Sequence, residues 1–430
     1  MITENKKLIF KTNYYFPLVI ILAFVFNNTI VGYRLFDISY DRFVELIMFV
    51  LLFPILIKDI QFGNKYKDIY VLFVVMLFCL IGRSFLALSQ EEYIPVIGIF
   101  RDVVRVFFFI VLLMLINYSV TRNSNSINYY LLGMSVWVAS GFFQNPITPF
   151  TGLMNDLKIT YFADNMTEVE LTHVTSEIGY GFLARATGPY GFPISFSYAL
   201  LSTLVVSGYM HLKTNKYIYL LFSGFIFVVI MMTLTRSAFI AGGLVMIFLM
   251  FNKYKKITAV VFLSAFIGLL FVLPEAVFIE SRLAQFYQGS ARINAFTAGF
   301  MTILQEPFLA QSDTYIENFY NACAMYGMRD CGVLISSHNG FVNITESTTI
   351  IGGLVFIFLW CLLFFYSFTL PSPYRGFFVV SLIAYSIQCS LHNNMLFISE
   401  YSFILPVVLL IREAEKVKVT GNFKRSFSYS

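Results

Sequence analysis

Apolar runs of membrane-crossing length recur along almost the whole chain, and they constrain its fold more than any single motif does. Crossing a hydrocarbon core of about 30 Å takes about 20 helical residues, and a spanning segment must satisfy its backbone hydrogen bonds internally. Runs that meet or approach this length fall near 14–32, 43–58, 69–88, 99–116, 129–143, 191–210, 217–234, 237–252, 257–274, 347–369, 375–390 and 395–411. The expectation is an all-α polytopic membrane protein, a single transmembrane domain over 1–430 with about 12 transmembrane helices. Several runs reach only about sixteen residues, so a pair could merge or one could be re-entrant. The composition, 58% hydrophobic and 12% charged, excludes a soluble globule. Lys6, Lys7 and Lys11 precede the first run as in a signal peptide. That run lacks a small-x-small cleavage site and contains Asn27 and Asn28, so it reads as a retained span.

Cytoplasmic flanks of membrane proteins collect Lys and Arg. With the N-terminus inside, the inward segments hold eighteen cations and the outward ones eight: Arg34, Arg42, Lys158, Arg185, Arg236, Arg282, Arg292 and Arg329. Both termini are then cytoplasmic. A smaller loop at 144–190 and a large loop at 275–346, which precedes the last three spans, face outward. The net charge of +5 reads as an insertion signal, and no nucleic-acid partner is implied.

The outward cations are mostly Arg and the inward ones mostly Lys. Arg keeps its charge near a low-dielectric surface and binds phosphate through a planar fork, whereas Lys suffices as a solvated anchor. Arg83, Arg101 and Arg105 lie inside the third and fourth runs near their outward ends, with Arg101 and Arg105 on one helix face. Two readings stand for them: snorkelling or pairing with Asp102 and Glu91, or an anion site in the outer leaflet.

The large loop reads as three short helices. Ser290 would cap the first, placing Arg292 in its anion-favouring first turn, and Pro307 would end it. A second runs from about Ser312 to Tyr326 with Ile316, Phe319, Tyr320 and Cys323 on one face, leaving Tyr315 and Asn318 for other contacts. A third starts at Ser336 or Ser337 and leads into the tenth span. His338 then lies at a helix start, where the dipole favours the neutral imidazole a general base needs, though a lone loop His is ordinarily a surface residue. Cys323 and Cys331 could form a disulfide in an oxidising compartment, while Cys79, Cys361 and Cys389 read as packing residues within spans. No C-x-x-C, H-E-x-x-H or D-x-D pattern occurs, so neither a metal nor a cofactor is implied. The weak exception is Glu168, Glu170 and His173, more simply read as solvated loop charges. Without an internal repeat, a transporter of lipid-linked sugar built from inverted halves is the weaker alternative.

Three segments, RATGPYGFPISFSYAL at 185–200, TLTRSAFIAGG at 233–243, and ARINAFTAGFMTILQEPF with SSHNGFVNITESTTIIGGL at 291–308 and 336–354, together resemble the O-antigen ligase and Wzy-type O-antigen polymerase superfamily. The resemblance covers most of the chain in topology but about sixty residues in motif. It implies a GT-C-like architecture in a bacterial inner membrane, with a large periplasmic loop carrying catalytic residues. Arg185, Arg236 and Arg292 take the positions of the family's arginines and His338 that of its loop histidine. The chain departs from the family after Pro307, where Gly residues are common, and in GPYGFPIS, which lacks an Asn often found there.

The activity so implied joins undecaprenyl-pyrophosphate-linked oligosaccharides by inverting, metal-independent glycosyl transfer. The three arginines would hold the pyrophosphate and His338 would be the base. Asn339, Tyr315, Arg101 and Arg105 are further candidates for the site. A chain-length regulator and a flippase are the partners such an enzyme would have. Polymerase is the preferred reading, and ligation of finished polymer to the lipid A core is its alternative.

Overall fold

The computed structural model describes residues 74–75, 78–79, 81–82, 125–145, 148–162, 179–180, 183–253, 286–308, 313–325, 337, 339–392 and 403–427. They form helices and one minimal ladder. In chain order these are α1 (Ser126–Phe143), α2 (Pro149–Phe162), β1 (Gly179–Tyr180), β2 (Leu183–Ala184), α3 (Pro193–Thr214), α4 (Tyr217–Met232), α5 (Arg236–Lys253), α6 (Phe286–Gln305), α7 (Asp313–Met325), α8 (Gly340–Phe368), α9 (Tyr374–Ser390) and α10 (Ile404–Phe427). β1 and β2 pair antiparallel over two residues each.

Helices α1, α3, α4, α5, α8 and α9 fall on the expected apolar runs. Two segments, Pro193–Thr214 and Thr348–Phe368, are long and apolar enough to cross a membrane, and Tyr217–Met232 and Arg236–Phe251 are shorter apolar helices. The expected runs at 14–32, 43–58, 99–116 and 257–274 lie outside the described residues, as do Arg101 and Arg105. Within 69–88 the described residues are helical. The last helix departs from expectation. Its apolar run ends at Ile411, yet helix continues through the charged residues to Phe427, because Arg, Glu and Lys are good helix formers and hydropathy marks where apolar surface stops, not where backbone bonding stops.

Helix boundaries follow local chemistry. Pro193 opens α3 at a position whose N–H would have no intrahelical partner. Asn215 closes it in the left-handed conformation at φ 57°. Helix α8 is interrupted at Thr349, where φ is 66°. The break frees the backbone N–H of Ile350, which donates to the carbonyl of Pro307 at 3.0 Å and ties the end of α6 to the kink.

α3 lies at the centre, packed against α1, α4, α5, α9 and α10, while α5 also packs on α9, and α8 on α6, α9 and α10. Contacts at the helix ends fix the directions. Gln388 of α9 donates through Nε2 to Ser197 Oγ near the start of α3 at 2.8 Å. At the other end Tyr209 of α3 donates to Glu413 of α10 at 2.6 Å and lies beside Tyr374, which starts α9. The beginnings of α3, α5 and α8 therefore meet the ends of α4 and α9 at one end of the bundle.

Candidate functional site at one end of the bundle

The turn Arg185–Tyr190 leads from β2 into α3 and is held from three sides. The Ala186 N–H donates to the carbonyl of Met232 at 2.9 Å. Gln144, the residue that caps α1, accepts through Oε1 from the backbone N–H groups of Thr187 at 3.0 Å and Gly188 at 2.8 Å. Gly188 has φ +53°, and a Cβ there would stand 2.7 Å from the Phe196 ring, so both backbone and space demand glycine. Tyr190 stacks on the same ring. Lys158 of α2, wholly buried, donates from Nζ to Thr187 Oγ1. Burial pushes its ammonium pKa down to about 7, because an apolar surrounding disfavours the charged form.

Arg185 is thereby set against the turn between α4 and α5, donating from Nε to the carbonyl of Thr233 at 3.2 Å. In that turn Leu234 takes a left-handed φ of 53°, which costs about 1–2 kcal/mol for a residue with a Cβ. Hydrogen bonds from Thr233 Oγ1 to the carbonyl of Ile230 and from the Thr235 N–H to Thr233 Oγ1 hold the turn. Arg236 starts α5 and is exposed. The next residue, Ser237, is buried and pairs through Oγ with Nε2 of His392 at 2.7 Å, joining the start of α5 to the end of α9.

Helix α8 begins at Gly340, not at Ser336 or Ser337. Asn339 is its N-cap, accepting through Oδ1 from the N–H groups of Phe341 at 3.0 Å and Val342 at 3.2 Å. Its Nδ2 donates to the carbonyl of Ser390 at 2.9 Å. The Asn339 side chain is thus committed to anchoring: Asn and Ser cap about equally well, but only an amide can accept from the helix start and donate to another helix at once. His338 lies outside the described residues. Its chain neighbours Ser337, buried, and Asn339 are both held at this end.

The large-loop helices differ from expectation in two respects. α6 begins at Phe286, so Ser290 lies inside it and Arg292 in its second turn, where the N-terminal dipole has largely faded. On α7 the packed face is Phe319, Ala322 and Cys323, set against Ala295 and Ala298 of α6, whereas Tyr320 is exposed. Ala322 and Cys323 follow Phe319 by three and four residues, the spacing that shares a helix face, whereas Tyr320, the next residue, is turned off it. α6 and α7 are also linked by Asn318 donating to Glu306 at 3.0 Å. Cys323 is disulfide-bonded and Cys79, Cys361 and Cys389 are free. Cys331, its expected partner, lies outside the described residues, as do Glu168, Glu170, His173 and the side chains of Arg292 and Tyr315.

The structure thus joins Arg185 to the Thr233–Arg236 turn and brings Ser237, His392, Asn339 and Ser390 to the same end. The bond between α6 and α8 lies at Pro307 and Ile350, at the opposite end of α6 from Arg292. Three residues of this end carried no signal in the sequence: Gln144, at the start of the expected smaller loop, Lys158, counted only among the outward cations, and Ser237, beside Arg236. Helix α2 was likewise unforeseen, although Pro149 at its first position is a helix-start signal. Among the described residues no group of three or more His, Cys, Asp or Glu is placed to hold a metal ion. No protein-family model matches the chain, and neither does any curated protein or solved structure.

Proposed function

We propose that the chain is a polytopic membrane glycosyltransferase of the O-antigen polymerase type, acting at the periplasmic face of a bacterial inner membrane. One observation carries the reading: Arg185, Arg236 and the residues flanking His338, drawn from segments about 150 residues apart in sequence, belong to one end of one helix bundle. Embedding in lipid is supported by α8, where Ile351, Leu354, Phe358, Phe365 and Phe368 are exposed at helical spacing. Such a continuous apolar stripe is a lipid-facing or docking surface.

In this reading the donor is an undecaprenyl-pyrophosphate-linked oligosaccharide, with the reducing-end sugar already activated. The acceptor hydroxyl of a second lipid-linked unit attacks the anomeric carbon and displaces the pyrophosphate, inverting that carbon, while His338 takes the hydroxyl proton. Arg185, Arg236 and Arg292 neutralise the charge that gathers on the leaving pyrophosphate, and such electrostatic stabilisation is usually the largest contribution to rate. The test is an assay of the purified protein in lipid nanodiscs with lipid-linked repeat units. Wild type is expected to build a ladder of polymer on the lipid, and absence of any extended product sinks the polymerase reading. Transfer to lipid A core instead of to a second repeat identifies a ligase.

A further inference from the structure

Lys158 stands out because, among the described residues, no charged partner offsets its burial. Its side chain is fully enclosed, no carboxylate pairs with it among the described residues, and its hydrogen bond is to the Thr187 hydroxyl. Beside it the Gln144 amide nitrogen is buried with no hydrogen-bond partner among the described residues. Buried amines and amides without acceptors are costly, and for stability alone a methionine at 158 would serve better. Both costly groups converge on one dipeptide. Gln144 takes the N–H groups of Thr187 and Gly188, and Lys158 takes the Thr187 hydroxyl. Helix α2, which carries Lys158, is itself pinned to the end of α1 by Thr151 Oγ1 donating to the Gln144 carbonyl at 2.9 Å and Thr148 Oγ1 to that of Phe143 at 2.9 Å. The Thr187–Gly188 dipeptide directly follows Arg185 and Ala186, which are hydrogen-bonded on their other side to Thr233 and Met232. The arginine is therefore suspended between two anchors, one made by the α4–α5 turn and one made by Lys158 with Gln144.

We infer that Lys158 and Gln144 form a latch that sets the position of Arg185, so that Lys158 is a positioning residue for the pyrophosphate contact although it never touches the substrate. The latch itself rests on geometry alone, whereas its consequence for catalysis rests on the pyrophosphate role proposed for Arg185. Without the Lys158 bond, Gln144 alone holds the Thr187–Gly188 dipeptide, so its backbone bonds open more often and Arg185 samples positions away from the Thr233 carbonyl.

Two measurements on the full-length protein in nanodiscs test this, with Lys158→Met removing the donor and Thr187→Val removing the acceptor at nearly constant shape. Amide hydrogen exchange at Thr187 and Gly188 is expected to quicken about tenfold in both variants while α3 keeps its protection. Unchanged exchange in both overturns the latch. The KM for lipid-linked donor is expected to rise about fivefold with kcat held, and Lys158→Met is expected to add nothing in an Arg185→Ala background. An equal added loss in that background overturns the route through Arg185. If Arg185→Ala alone leaves KM unchanged, it is the pyrophosphate assignment that fails, and the exchange result still decides the latch.

Discussion

Helices α3 and α8 are both long and apolar enough to cross a membrane, yet 89% of the apolar window of α3 is buried inside the bundle and 44% of that of α8. The more apolar helix is the more exposed one. α3 carries Ser197, Ser202, Thr203 and Ser207 in its interior, and each has a partner on another helix: Gln388, Tyr385, Tyr130 and the Tyr219 carbonyl, respectively. α8 turns bare aliphatic and aromatic side chains outward. Under the membrane reading proposed above this is the expected distribution, since in lipid, with no hydrophobic force between helices, small polar residues mediate helix contact and apolar ones face out. The two helices also meet the candidate site differently. α3 fixes the turn that holds Arg185, and the polar beginning of α8, before its kink at Thr349, is where Asn339 anchors the chain next to His338.

The sharpest division is within α8 itself, between its polar start and its apolar outer face. His338→Ala is expected to lower polymer formation by about 10²–10⁴-fold with normal insertion, measured as chain extension in nanodiscs. Substantial residual rate moves the base elsewhere, with His392, paired to Ser237, next in line. Between the two helices, Phe196→Ala in α3 opens a cavity beneath Gly141, Gly188 and Tyr190. It is expected to cost about 3–5 kcal/mol, against roughly 0.5 kcal/mol or less for Phe358→Ala on the exposed face. Equal losses in thermal unfolding would erase the distinction between interior and exposed face.

Arg236→Lys keeps the charge but not the fork, and turnover is expected to fall about tenfold or more. Wild-type rate with Lys would leave Arg236 a role in membrane topology alone. Lys158→Met probes the scaffold side through pH. The folded-state value of about 7 lies below the ordinary 10.5, so between these pH values the unfolded chain holds a proton that the folded one does not. Stability therefore rises with pH across that window, and the cost of Lys158 is fully present below about pH 7. The Met variant should lose this slope in melting temperature between pH 7 and 9, and an unchanged slope would assign it to other groups. The smallest expected effect is that of chelation. Excess EDTA should leave chain extension undiminished, and a loss restored by Mg²⁺ or Mn²⁺ would make Glu168, Glu170 and His173 the first residues to mutate.

Much of the helix pattern was legible in the residues, since apolar runs, Pro193 at a helix start and Pro307 after a helix end are local signals that act within a turn or two. Boundaries set by capping were less so. Asn339 outcompeted Ser336 and Ser337 because its amide reaches Ser390 on another helix, which no local pattern records. Of the candidate site, the arginines and His338 were visible as residue types in suggestive segments, but their supports were not. Lys158 counted as one more outward cation, and Ser237 looked like a small residue following Arg236.

What the amino-acid sequence determined by itself is where most of the described helices run and which stretches are polar, because hydrogen bonding within a helix and the cost of exposing apolar surface are settled by near neighbours. Tertiary structure alone decided that the less apolar α3 lies inside and α8 outside, that Ser237 meets His392 across 155 residues, and that Lys158 is buried against Thr187. Hydropathy measures how much a side chain avoids water. It does not encode which helix, or which hydroxyl, will be its neighbour once the bundle closes.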